Sequence, residues 1–92
     1  MLLFVQIDLS SADLPLFETY EGRVLALLGR HGGRLEARLR STDGRSEVHI
    51  LEFPDAAALA AFRADPERMG AQHIWERCGA SSVLTEMTRL PA

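Results

Sequence analysis

Hydrophobic and polar residues alternate in four stretches of the chain, and this alternation predicts four β-strands. The stretches are residues 2–9, RLEARLRS at 34–41, EVHILEF at 47–53 and SSVLTEMTRL at 81–90. The turn pair Asp43-Gly44 between the second and third stretches indicates a hairpin. In the second stretch, strict alternation assigns one face to Leu35, Ala37 and Leu39 and the other to Arg34, Glu36, Arg38 and Arg40.

Apolar residues spaced by threes and fours predict a first helix between the first two strands. Asp13 is placed to cap this helix, Pro15 fits its first turn, and the pair Gly32-Gly33 ends it. The apolar stripe comprises Phe17, Tyr20, Val24, Leu27, Leu28 and His31, and the polar residues Glu18, Glu21, Arg23 and Arg30 are expected outward or at its flanks.

A second helical region follows Pro54-Asp55, which ends the third strand and caps the helix. Leu59 and Phe62 are expected to point inward. The signature Asp65-Pro66-Glu67 predicts a break or kink, after which the helix restarts through Met69, Ile74 and Trp75 and closes at Gly79.

The order strand, helix, strand, strand, helix, strand predicts an α+β, ferredoxin-like βαββαβ domain over residues 1–92. Its antiparallel four-stranded sheet should carry both helices on one face. The other face is expected to be mixed, with apolar Phe4, Leu84 and one set from the third strand lying among Gln6, Glu36, Arg38 and Glu86. A face of this kind suits a homodimer in which two sheets close on each other as a dimeric α/β barrel.

The 92 residues include 13 acidic and 10 basic residues, all the basic ones arginine, for a net charge of −3. This balance argues against a general nucleic-acid or membrane-surface binder. The single cysteine, Cys78, fits a reducing compartment. The opening MLLFVQIDL is too short to span a bilayer and lacks a preceding basic residue, so a cytoplasmic protein is expected.

The runs 32-GGRLEAR-38 and 50-ILEFPDAAALAAFRADPE-67 resemble the dimeric α/β-barrel superfamily, above all its short bacterial members of the DUF1330 and NIPSNAP-like kind. The resemblance covers nearly the whole chain, and Arg38 matches its pattern. Related branches include cofactor-free antibiotic-biosynthesis-type monooxygenases, muconolactone isomerase-like enzymes and haem-handling proteins. Where short members often carry an aromatic residue near the helix break, this chain has Arg63 and Arg68.

His49 is the leading catalytic candidate. Its parity groups it with Leu51 and Phe53, which would place the imidazole between sheet and helices, where a neutral histidine could accept a proton. The alternative is a buried histidine bonded to a backbone carbonyl or to Tyr20. As an enzyme, the protein would use His49 as base and Tyr20 or Arg38 to polarise a carbonyl or enolate.

Trp75, Phe53 and Phe62 are the candidates for ligand contacts in the same cavity. Trp75 and His73 lie two residues apart on a helix, so only one of them can face a pocket. Arg34, Glu36 and Arg38 are expected to form an ion-pair network across the two-fold axis rather than an anion site. His31, His49, His73 and Cys78 lack the short paired spacings of a metal site, and Cys78 has only Arg77 nearby as an activator.

These observations predict a homodimer that holds a small apolar or aromatic ligand, with no cofactor and no metal. Cofactor-free oxygenation and isomerisation both fit. A non-catalytic ligand-binding or protein-interaction module is the alternative, and a subunit of a larger assembly is a third.

Overall fold

A computed structural model describes all residues from Met1 to Ala92. Four strands and two helical regions follow one another in the order strand, helix, strand, strand, helix, strand. The strands are β1 (Leu2–Asp8), β2 (Arg34–Arg40), β3 (Ser46–Glu52) and β4 (Ser81–Met87). The helices are α1 (Leu14–Leu25), α2 (Ala56–Arg63), α3 (Pro66–Gly70) and α4 (Gln72–Cys78), and a 3-10 turn (Leu28–His31) follows α1.

The strands form one antiparallel sheet in the order β2-β3-β1-β4. The predicted α+β, ferredoxin-like βαββαβ order is therefore confirmed. The two central strands pair from Leu2 with Glu52 to Asp8 with Ser46, and this register places Leu3, Val5 and Ile7 on the same face as His49 and Leu51.

Most helix ends follow the predicted chemistry, but α1 ends at Leu25, and the segment expected to continue it as far as Gly32-Gly33 contains the 3-10 turn, which ends at Gly32 with φ of 72°. The side chain of Asp13 accepts from the Leu16 amide at the start of α1, and Asp55 accepts from the Ala58 amide at the start of α2. Asp65 and Pro66 end the first part of the second helical region and start α3. Gly79 ends α4 with φ of 80°, where an added Cβ would lie 2.9 Å from the carbonyl oxygen of Ser11, so both the backbone angle and the close contact favour glycine.

A β-bulge in β2 overturns the strict alternation expected for that strand. Leu35 pairs with Leu51, but Ala37 pairs with Ile50 and Arg38 with His49, so the register shifts by one residue between Leu35 and Ala37. A shift of one residue exchanges the faces of all following side chains. Arg38 therefore lies on the helix side of the sheet, and it does not join Arg34 and Glu36 in the expected ion-pair network.

The helix side of the sheet holds the core. Leu3, Phe17, Phe53 and Cys78 are almost completely buried there. Leu84 and Glu86 also belong to this side, because they pair with Val5 and Leu3, so their expected place on the opposite face was wrong.

The opposite face, called the open face below, is covered by no element of the chain. All four strands contribute apolar residues to the open face. These residues include Phe4, Leu39, Val48, Ile50, Val83 and Met87. Leu39 and Val83 are 59% and 63% exposed. None of the helices is both long enough and apolar enough to cross a membrane.

Candidate functional site

A cavity of about 190 Å³ lies between the sheet and the helices. Eleven of its 17 lining residues are hydrophobic, with walls supplied by side chains such as Val5, Val24, Leu51, Phe62 and Trp75. An apolar cavity of about 150 Å³ is known to accept benzene. The space therefore suits a ligand whose buried part is about one aromatic ring.

His49 lines the cavity from β3 and is 3% exposed. Its Nε2 lies 2.6 Å from Oε2 of Glu47, two residues earlier on the same face of the strand. Burial lowers the pKa of His49, against the opposing influence of Glu47. A neutral imidazole that donates Nε2–H to a carboxylate keeps its lone pair on Nδ1, so the pair fixes the tautomer as well as the ring orientation.

Two arginines hold Glu47 in its charged form. Arg38 Nε donates to Oε2 at 3.0 Å, and Arg40 Nε donates to Oε1 at 2.9 Å. Burial would raise the pKa of Glu47, but the hydrogen bonds from His49, Arg40 and Arg38 outweigh burial and lower it. Both guanidinium groups also contact Glu18, the Arg38 contact being 3.1 Å.

Arg38 is thus a support for Glu47 and is absent from the cavity wall. The sequence prediction that Arg38 polarises a bound ligand does not fit this position. The β2 bulge explains the difference, because it turns Arg38 and Arg40 toward Glu47.

Glu21 is a site residue that the sequence analysis placed at the flank of α1. It is 4% exposed, lines the cavity, and its Oε2 lies 3.8 Å from His49 Nε2. Burial, reinforced by the negative charge of Glu47, raises the pKa of Glu21 to about 7. The spacing of Glu21 in the sequence indicates this burial, because Phe17, Tyr20, Glu21 and Val24 follow the i, i+3, i+4, i+7 pattern of one helix face.

The aromatic candidates divide between cavity wall and core. Tyr20 lines the cavity, is 5% exposed and lies with its ring centroid 5.2 Å from that of Trp75. Trp75 and Phe62 also line it, while His73 is exposed. Phe53 lies outside the wall, buried in the core with its ring centroid 5.5 Å from that of Phe62. An added Cβ on Gly33 would lie 2.8 Å from the Phe53 ring, which shows how closely the backbone covers it.

Glu21, Glu47 and His49 have ligand-type atoms within 4.8 Å of one another, and we call these three residues the Glu-His cluster. Short His and Cys spacings in the sequence do not reveal it, because two of its members are carboxylates and Glu21 comes from α1. Both oxygens of Glu47 already accept from cationic guanidinium groups. The cluster's negative charge is thereby balanced, and its arrangement favours proton transfer over cation binding.

Cys78 has no such surroundings. It is 1% exposed, and its thiol donates to the Trp75 carbonyl oxygen at 3.2 Å. These contacts are those of a structural core residue.

No protein-family model matches the chain, and no curated protein sequence does. Solved structures are similar over nearly the whole chain. SnoaB from Streptomyces nogalater, described as a cofactor-independent oxygenase, is 23% identical with a TM-score of 0.74, and the alignment covers 99% of this chain and 97% of SnoaB. A NIPSNAP domain protein from Burkholderia xenovorans is 20% identical with a TM-score of 0.62, over 100% and 99% of the two chains.

A dimeric ferredoxin-like protein of unknown function from Jannaschia sp. CCS1 is 16% identical with a TM-score of 0.68, covering 95% of this chain and all of that one. Identities in this range carry the fold alone. The resemblance to DUF1330 proteins stays a prediction. The chain has the ferredoxin-like fold of these proteins, and the resemblance to dimeric ferredoxin-like and NIPSNAP-like proteins is confirmed at that level.

Proposed function

We propose that the protein is a homodimeric, cofactor-independent enzyme that removes a proton from a small ring compound and is of the monooxygenase type. One observation carries this proposal: a neutral histidine and a carboxyl group with a pKa near 7 lie 3.8 Å apart on the wall of a mainly apolar cavity. Acid–base groups with separated pKa values in a cavity are typical of catalytic sites.

His49 acts as the base. Glu47 accepts the Nε2–H and stabilises the positive charge that develops when Nδ1 takes a proton from the ligand. Arg38 and Arg40 keep Glu47 ionised and in place, so they are positioning residues. Without them the buried carboxylate would lack the charge that holds it in its anionic form.

Glu21 and Tyr20 act as proton donors. Near neutral pH a fraction of Glu21 is protonated, so it can return a proton to the ligand or to the product. Burial raises the pKa of Tyr20, so its hydroxyl stays protonated and can donate to an oxygen on which negative charge accumulates.

The ligand anion can then react in two ways. Reaction with O₂ at a ring methylene would convert the CH₂ group to a carbonyl and release the second oxygen atom as water. Reprotonation at another carbon would be isomerisation. The structural likeness to SnoaB, a cofactor-independent oxygenase, favours the reaction with O₂.

The open face supports a homodimer. Apolar side chains from all four strands lie on it, and Leu39 and Val83 are more than half exposed in a single chain. Contiguous exposed apolar surface on a small domain marks an interaction site. A second copy covers it by the same face, as in a closed two-fold dimer.

Deuterium incorporation into 2-indanone in D₂O under nitrogen tests the proton-transfer step alone. The protein should accelerate exchange of the ring methylene protons, and His49→Gln should lower that rate by about 100-fold or more, the usual contribution of a general base. Glu52→Gln is the matched control, because Glu52 lies on β3 but on the open side. Admission of air to the same sample should then give oxygen uptake.

An exchange rate that is the same in wild type and His49→Gln, with both proteins folded, would contradict the proposal. It would favour a non-catalytic ligand-binding module.

A further inference from the structure

We infer that the ligand of this cavity is an aromatic acid, whose carboxylate is bound by Arg68 with help from Arg63. This inference rests on the proposed function and names its class of substrate. Both arginines line the cavity, from α3 and from the last residue of α2. They introduce positive charge into a space whose other walls are mostly apolar.

Arg68 has hydrogen-bond donors without acceptors. Its Nε is buried and is the only buried side-chain nitrogen or oxygen of the chain that lacks a hydrogen-bond partner. Its Nη1 donates to the carbonyl oxygen of Arg63 at 3.3 Å. A buried donor without an acceptor is costly, and a carboxylate would satisfy it.

The guanidinium of Arg68 is held in place before any ligand arrives. Its Cζ lies 5.3 Å from the centroid of the Phe62 ring, a cation–π contact on the cavity wall. An arginine fixed in this way loses little further conformational freedom on binding, so its planar fork is ready for a planar carboxylate.

No acidic side chain neutralises either arginine. The ion pairs of the chain use Arg30, Arg34, Arg38, Arg40 and Arg89, whereas Arg63 and Arg68 form none. The negative charge of Glu47, in contrast, is already neutralised by ion pairs with Arg38 and Arg40. The cavity thus offers an unneutralised cation at one point and a proton-transfer pair at another.

This arrangement orients the ligand. Arg68 enters the cavity from α3, whereas Glu21 and His49 of the Glu-His cluster enter it from α1 and β3. A carboxylate at Arg68 would leave the ring of the ligand among the apolar side chains of the same cavity, within which the cluster also lies. Such two-point binding places a chosen ring position at the base.

Calorimetric titration with 4-hydroxybenzoate and 4-hydroxybenzamide tests the inference, because the two compounds match in shape and differ in charge. Wild type should bind the acid about tenfold or more tightly than the amide, as expected for hydrogen bonds to a charged group. Arg68→Met, which keeps an apolar stem on Phe62, should abolish the preference and change the affinity for the amide less than about twofold. Arg77→Met is the control, an exposed arginine on α4 outside the cavity, and should retain the preference.

Equal affinities for acid and amide in wild type would overturn the inference while leaving a ring-binding cavity intact. A preference that survives Arg68→Met would overturn it as well. If neither compound binds wild type at millimolar concentration, the proposed ring-binding function fails together with it. Melting curves of both variants within a few degrees of wild type establish that folded proteins are compared.

Discussion

Glu21 on α1 and His49 on β3 come within 3.8 Å of each other on the wall of the cavity, although 28 positions separate them in the chain. Neither the helix pattern nor the strand pattern alone predicts this contact. It places a carboxyl group with a pKa of about 7 beside an imidazole that burial keeps neutral.

The first prediction concerns pH and Glu21. The folded-state pKa of about 7 exceeds the ordinary value of 4.5, so the folded state binds this proton more tightly than the unfolded state. Stability should therefore fall as pH rises from about 4.5 to 7. Glu21→Gln removes this loss. The free energy of unfolding of this variant should exceed that of wild type by up to about 3 kcal/mol at pH 8, with little gain at pH 4.5. Urea unfolding at the two pH values measures it.

Glu18→Gln is the control for that experiment, since Glu18 is an exposed neighbour one turn earlier on the same helix. Its pKa is lowered by Arg40 and Arg38. This variant should show no gain in stability at pH 8, and a Glu21→Gln curve parallel to that of wild type across this range would contradict the assignment.

The second prediction concerns the support of His49. Glu47→Ala should lower the free energy of unfolding by about 3 kcal/mol, because it leaves His49, Arg38 and Arg40 without their common acceptor. The same change at Glu52, a partly exposed carboxylate on the other side of β3, should cost at most about 1 kcal/mol. Denaturant midpoints of the two variants give the comparison, and similar losses at both positions would refute a central role for Glu47.

The third prediction concerns the homodimer. Val83→Asp introduces a charge on the open face and should convert a dimer into a monomer at micromolar concentration, as measured by sedimentation. Met69→Asp is a close match, since Met69 is 62% exposed against 63% for Val83 but lies on α3. It should leave the dimer intact. A monomeric wild type, or equal dissociation by both variants, would contradict the proposed interface.

The order of elements and most helix ends could be predicted from the sequence. Alternation in β1 and β3 and the capping residues Asp13 and Asp55 are local signals, and the structure has them where they were expected. The side of His49 also followed from its parity with Leu51, and both residues are buried on the helix side.

The bulge in β2 could not be predicted in the same way. Its sequence alternates equally well in both registers, so only pairing with β3 decides which side Arg38 occupies. Glu21 was missed for a related reason. An acidic residue beside an apolar helix stripe is ordinarily exposed at the edge of that stripe. Glu21 is buried because of the residues that α1 contacts on the sheet, and these are distant in the sequence.

Binding of a ring compound in the cavity and removal of its proton by His49 are tested most directly by the pH dependence of deuterium exchange into 2-indanone. Burial lowers the pKa of His49 from 6.5, so the imidazole is neutral at pH 7 and the wild-type exchange rate should fall only when the pH drops below 6.5. His49→Gln should exchange at least about 100-fold more slowly and lose this pH dependence, with binding in both proteins followed by fluorescence of Trp75, the single tryptophan and a cavity residue. An exchange rate and pH dependence shared by wild type and His49→Gln, or no binding by wild type, would contradict the role of His49.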